Sequence, residues 1–166
     1  MKITVNFENG FLPDRYGKHA NEEFKLNSRP IRSFPIHITD LPANTKAIAL
    51  SLVDYDAVPV AGFPWIHWIA TDIAPTDLIP EDFSQKNKGV VQGKNSNISR
   101  YVNEHDINVN ERYTGPTPPE THNYTLTVYA LSEPTGLKPG FYLNELMKAT
   151  EPITIEKTEI KIPSRG

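Results

Sequence analysis

Cysteine is absent from all 166 residues. That removes disulfide staples, zinc–thiolate centres and cysteine nucleophiles at once. Long apolar runs are also missing: nothing approaches the roughly 18 residues that a membrane-spanning helix requires. The start, Met1-Lys2-Ile3-Thr4-Val5-Asn6-Phe7-Glu8, alternates and reaches an acid where a secretory signal would be apolar. A cytoplasmic protein without integral membrane association is expected. Positive charge is not in excess, with 17 Lys and Arg against 20 Asp and Glu and a net charge of −3. Without a basic stripe, neither nucleic-acid binding by counterion release nor polybasic anchoring to a bilayer is expected. The phosphate loop Gly-x-x-x-x-Gly-Lys-Ser/Thr, the dinucleotide signature Gly-x-Gly-x-x-Gly, the elbow Gly-x-Ser-x-Gly and the zinc motif His-Glu-x-x-His do not occur. No cofactor is implied.

Proline is abundant instead. Its 15 residues are near twice the usual share of about 5%. Together with 9 glycines they punctuate the chain too often for a helix bundle and favour short strands joined by turns. Ile3-Thr4-Val5-Asn6-Phe7 alternates at period two, as a strand does. Residues 8–30 read as a long polar surface connection with one short strand at Phe24-Lys25-Leu26. Ser33 to Ile38 forms a further strand. Ala47 to Val53 is almost wholly apolar and fits a central strand buried on both faces. Trp65 to Ile73 follows as its neighbour, and residues 75–118 read as one loose, turn-rich excursion. From Tyr124 to Leu131 the pattern alternates, with Tyr124, Leu126, Val128 and Ala130 on one face. Leu143, Leu146 and Met147 mark a short amphipathic helix, and Ile153 to Ile155 and Ile160 to Ile162 read as two closing strands. The sum is one mostly-β domain over residues 1–166.

Polar residues at the ends of the best apolar runs are the candidates for chemistry. Asp54 and Asp56 follow the central strand, and extended backbone would put both carboxylates on one side. His67 lies among Ile66, Trp68 and Ile69, where a lone histidine reads as a core residue bonded to a backbone carbonyl. His122 opens a strand after the stiff loop Gly115-Pro116-Thr117-Pro118-Pro119, whose restricted φ presets its shape. Such a loop serves equally as a pocket wall or as a plain connection.

Two stretches, taken together, resemble the phosphatidylethanolamine-binding protein family, in its bacterial and archaeal Raf-kinase-inhibitor-like branch. The family's Asp-Pro-Asp-x-Pro motif and following His-Trp or His-His match Asp54-Tyr55-Asp56-Ala57-Val58-Pro59 and His67-Trp68. Its Tyr-x-Gly-Pro-x-Pro-Pro and His-Arg-Tyr motifs match Tyr113-Thr114-Gly115-Pro116-Thr117-Pro118-Pro119 and His122-Asn123-Tyr124. Gln92-Gly93-Lys94-Asn95-Ser96 is similar to the Gly-x-Asn segment between them. The likeness spans roughly residues 30–133.

The resemblance implies a large central antiparallel sheet packed on a smaller sheet, with one or two short helices. It implies a pocket for a small anionic ligand, phosphate or a phosphorylated headgroup. Asp54, Asp56, His67, His122 and Tyr124 would line it, and Trp65, Gly115 and Pro118 would wall it. A protonated histidine pair is expected to hold the anion, and Asn123 in place of the family arginine is expected to lower the pocket's charge. The branch also implies a homodimer. No catalytic or metal-ligating residue is assigned. The alternatives are a hydrolase or metal-dependent enzyme using Asp54, His67 and His122, and a kinase- or protease-inhibitor-like interaction module working through the proline loop.

Overall fold

The computed structural model describes residues 1–87 and 89–166. In chain order the strands are β1 (Lys2–Thr4), β2 (Lys25–Leu26), β3 (Arg29–Pro30), β4 (Ile36–Thr39), β5 (Ala47–Asp54), β6 (Trp65–Ile73), β7 (Leu78–Ile79), β8 (Val91–Gln92), β9 (His122–Leu131) and β10 (Thr154–Ser164). The α-helical segments are α1 (Val58–Ala61), α2 (Phe83–Lys86), α3 (Ile107–Asn110) and α4 (Leu143–Thr150). The first three are single turns.

Five strands form the main antiparallel sheet in the order β10-β9-β5-β6-β8, and β1-β4-β7 form a smaller sheet. β5 sits at the centre of the main sheet, and all of its residues are buried. Alternation divides it. Ile48, Leu50 and Leu52 point inward with Trp68, Leu126 and Val128, against Ile3, Ile36, Ile38 and Ile79 of the smaller sheet. Ala47 and Ala49 point outward with Ile69 and Leu131, beneath Phe141 and Leu146. Apolar residues at both parities of β5 therefore serve two cores, one on each side of the sheet. Burying each large side chain contributes about 1.5–3 kcal/mol.

β6 carries two irregularities. The pairings Leu52↔Trp68 and Val53↔Ile66 leave His67 without a partner on β5. A second irregularity near Asp72, whose φ is +57°, returns Ile73 to the inner core. Each is a bulge, which turns neighbouring side chains towards one face and breaks strict alternation.

The mostly-β architecture, the buried central strand and the helix after Phe141 agree with the sequence reading. Three local readings change. The tail is one continuous strand, β10, because its pairing with β9 runs from Thr154 to Ser164 past the polar Glu156-Lys157-Thr158-Glu159. Residues 75–118 are not one loop: β7, α2, β8 and α3 lie there, too short to leave a periodic signal. Met147 is 59% exposed, so the apolar stripe of α4 narrows to Leu146 and half-buried Leu143. Among the described residues no helix is long and apolar enough to cross a membrane.

Leu52 lies wholly inside the inner core. Leu52→Ala is expected to cost about 2–5 kcal/mol of unfolding free energy, read by urea denaturation. Glu133→Ala, on an exposed turn, should stay within about 0.5 kcal/mol of wild type in the same assay.

Candidate functional site

Asp54 ends β5, where it faces Tyr124 of β9 on one side and Trp65 of β6 on the other. His122 stands two residues before Tyr124 and so shares its face. The His122 Nδ1–H donates to Asp54 Oδ2 at 2.8 Å, and the two side chains are only 5% and 4% exposed. A carboxylate can only accept, so the proton lies on Nδ1 and Nε2 is the nitrogen left for other contacts. Asp54 Oδ1 is buried without a hydrogen-bond partner.

His67 is placed by the first bulge of β6. Its Nδ1–H donates to Thr114 O at 2.8 Å, and Thr114 N–H donates to His67 O at 3.1 Å. Side chain and backbone of the unpaired residue are thus both held by Thr114. The expected carbonyl-bonded core histidine is present, and the same ring also lines a cavity. Its pKa is lowered to about 4, first by burial, against the raising effects of the Thr114 bond and Asp54, while Arg29 and His122 lower it further. Near neutral pH the ring is uncharged, with Nε2 an acceptor. Tyr124 lies between the histidines, its ring centroid 4.9 Å from His67 and 6.4 Å from His122. Burial, then the Asp54 carboxylate, pushes the Tyr124 hydroxyl's pKa up, so it stays protonated and can donate.

These groups surround a cavity of about 180 Å³. That is below the roughly 300–1,000 Å³ typical of drug-sized ligands, so it suits a small group. Trp65, Gly115 and Pro118 help wall it, as the resemblance implies. Gly115 is required for space. A Cβ there would collide with the Tyr16 carbonyl and press on Pro30, while its N–H donates to Pro30 O at 2.8 Å. The proline loop is thereby held directly against β3. From the other side, Asn97 Nδ2 donates to Asn95 Oδ1 at 2.9 Å and to Thr114 Oγ1 at 3.0 Å. Asn95 Nδ2 donates to the carbonyls of Val109 and Arg112. The Gly93-Lys94-Asn95-Ser96 stretch is therefore a buried scaffold under the loop that holds His67.

Two expectations about residue placement are corrected. Asp56 does not line the cavity. The chain turns after Asp54, so period two no longer applies, and the exposed Asp56 accepts from the Asn123 N–H at 2.8 Å. It clamps the start of β9 to the end of β5. Asn123 does not lower the cavity's charge either. It alternates with His122 and Tyr124, and its side chain lies on the exposed outer face. The cavity's cation comes from elsewhere: Arg29 of β3, which the sequence reading left inside a surface connection. Its signal was the turn pair Asn27-Ser28, both at positive φ, which closes a hairpin. Asn97 and Thr114 are further lining residues that went unassigned. Among the described residues no group of three His, Asp or Glu is arranged to hold a metal ion. In the alternative metal-dependent set of Asp54, His67 and His122, the two Nδ1 atoms are already bonded to Thr114 and Asp54.

The depressed His67 pKa carries a pH dependence. The unfolded ring protonates near 6.5 and the folded ring near 4. Acidification through that window therefore favours the unfolded chain, and stability present above pH 6.5 is lost as pH falls towards 4. The loss attributable to this group is on the order of 3 kcal/mol. Denaturant unfolding of wild type and His67→Gln between pH 7 and 4 checks it. The variant should show the shallower decline, and parallel curves would contradict the assignment.

The chain has relatives among known proteins. The family model described as phosphatidylethanolamine-binding protein matches residues 2–164. Bacillus subtilis YxkA is 44% identical over 168 residues, covering 99% of both chains. The UPF0098 protein PH1269 of Pyrococcus horikoshii is 34% identical over 169 residues, covering 96% of this chain and 74% of that one. Two solved structures share the fold. A putative phosphatidylethanolamine-binding protein homolog from Chlamydia trachomatis, CT736, has a TM-score of 0.76 at 22% identity, covering 99% of this chain and 96% of its own. E. coli YbcL, described as a new member of the mammalian PEBP family, has a TM-score of 0.75 at 20% identity, covering 99% of this chain and 98% of its own. With a family match over nearly its whole length and a relative at 44% identity across it, the chain belongs to the phosphatidylethanolamine-binding protein family.

Proposed function

We propose that this protein binds a small oxyanion, a phosphate or a phosphorylated headgroup, in the cavity between Asp54, His67, His122 and Tyr124. The observation that carries this reading is the convergence of the Asp54-oriented His122 ring, the His67 ring and the Arg29 guanidinium on one small cavity. Arg29 and the Tyr124 hydroxyl donate without any change of state. With its Nδ1–H committed to Asp54, His122 donates to an oxyanion through Nε2 only when the ring carries both protons. His67 differs from the expected protonated pair: it enters the site uncharged and must take up a proton to donate to an oxyanion. The cavity volume, about 180 Å³, suits the headgroup of a phospholipid and leaves its acyl chains outside. The family description names phosphatidylethanolamine, and this reading takes over only the phosphorylated headgroup part of it.

Proton uptake by His67 gives the reading a sign. Sulfate stays dianionic from pH 5 to 8, so a change in its affinity over that range reports protonation of the protein. Calorimetric titration with sulfate should show tighter binding as pH falls, by up to about tenfold per pH unit. His122→Ala should weaken sulfate binding by about tenfold or more at pH 6. Affinity that is flat or falls on acidification would overturn the proton-uptake account. Failure of sulfate, phosphate and O-phosphoethanolamine alike to bind in the millimolar range would overturn the anion site itself.

A further inference from the structure

The ionisable groups lining the cavity are Arg29, Asp54, His67, His122 and Tyr124. Asp54 is engaged with His122. His67 is bonded through Nδ1 to a carbonyl, and Tyr124 keeps its proton. Arg29 is the permanent cation of the set. Other arginines have clear structural work: Arg15 and Arg32 share Glu81, and Arg165 pairs with Asp14. Among the described residues Arg29 has no carboxylate within ion-pair distance and donates no side-chain hydrogen bond. A half-buried guanidinium without a partner costs folding free energy and returns none.

Its position is nevertheless built. Asn27 and Ser28, with φ of +49° and +62°, turn β2 back onto β3 and pair Leu26 with Arg29. Asn27 Nδ2 donates to Glu104 at the tip of this hairpin, at 3.3 Å. At its base the Ile31 N–H donates to Phe24 O at 3.0 Å, and the carbonyl of the preceding residue, Pro30, accepts the Gly115 N–H at 2.8 Å. The bond that seats the proline loop thus seats the residue beside Arg29, and loop and cation are placed together.

We infer that Arg29 is the specificity-determining residue of the cavity, selecting doubly charged phosphomonoesters over singly charged phosphodiesters. This rests on the anion-binding reading above and narrows its ligand class. The planar fork of a guanidinium takes two oxygens of one phosphoryl group at once. A phosphomonoester keeps three terminal oxygens, so two can bond Arg29 while one remains for the Tyr124 hydroxyl. A diester has two, and one negative charge. Without Arg29 the Asp54 carboxylate would be the cavity's only permanent charge, and the field on an anion would change sign.

The test uses methyl phosphate and dimethyl phosphate at pH 8, titrated calorimetrically into wild type, Arg29→Gln and Arg29→Lys. Wild type should prefer methyl phosphate by roughly tenfold or more. Arg29→Gln should lose most of that preference, and Arg29→Lys, which keeps the charge without the fork, should fall between. A second readout needs no ligand. Removing a positive charge that disfavours the protonated ring should raise the His67 pKa in Arg29→Gln, followed by imidazole NMR from pH 8 to 4. Wild-type affinity and preference in Arg29→Gln would overturn the role of Arg29 and leave the anion site standing. Wild type binding neither ester would overturn both. An unchanged His67 pKa in the variant would overturn the placement of Arg29 against the ring.

Discussion

The bond from His122 Nδ1–H to Asp54 Oδ2 fixes the rest of the site. It joins neighbouring strands of the main sheet at the end where both stop, and both side chains lie almost wholly out of water. A buried carboxylate is expensive unless it is paired, and removing one partner strands the other. The bond therefore holds the strand ends in register and sets the ring's orientation together. With Nδ1 committed, Nε2 is the atom that the ring can offer. Asp56, two residues on, ties the same strand ends from the solvent side through the Asn123 N–H. Of the two carboxylates, one orients a ring and the other clamps a backbone.

His67 enters through a departure from regular pairing. A perfectly paired β6 would set His67 and Trp68 on opposite faces. The bulge brings both to buried positions on the inner side, Trp68 in the core and His67 at the cavity. The freed backbone is taken up by Thr114, the residue that also receives the ring's proton-bearing nitrogen. The proline loop is consequently held by β6, by the Asn95–Asn97 amides and by the hairpin carrying Arg29. Little remains free to move at the wall, so a ligand would meet a site with little ordering left to lose.

Much of this was legible in the sequence. β5 showed itself by apolar residues at both parities, and β9 by Tyr124, Leu126 and Val128 on one face. Seven of the eight residues named for the pocket line one cavity: Asp54, Trp65, His67, Gly115, Pro118, His122 and Tyr124. The failures have physical causes. Asp56 was read with strand parity beyond the point where the strand turns. Asn123 stands where the family has an arginine, hence the expected loss of charge, although a residue between His122 and Tyr124 in a strand faces away from the cavity. A protonated pair follows from the Asp54 partner alone, and the burial of His67, already indicated by its apolar neighbours, outweighs that partner near neutral pH. Arg29 has only the weak signal of the Asn27-Ser28 turn, because its strand is two residues long and its neighbours in the cavity are far along the chain. Only the packing of the proline loop on Pro30 brings it there.

Everything proposed for the cavity requires that the two buried rings form one oxyanion site. Imidazole NMR during a titration with inorganic phosphate tests it most directly, because the surface histidines His19, His37 and His105 serve as internal controls. In a single site His67 and His122 shift together and saturate with one dissociation constant, while those three stay unmoved. Silence from both buried rings, or a response confined to the surface histidines, would contradict it.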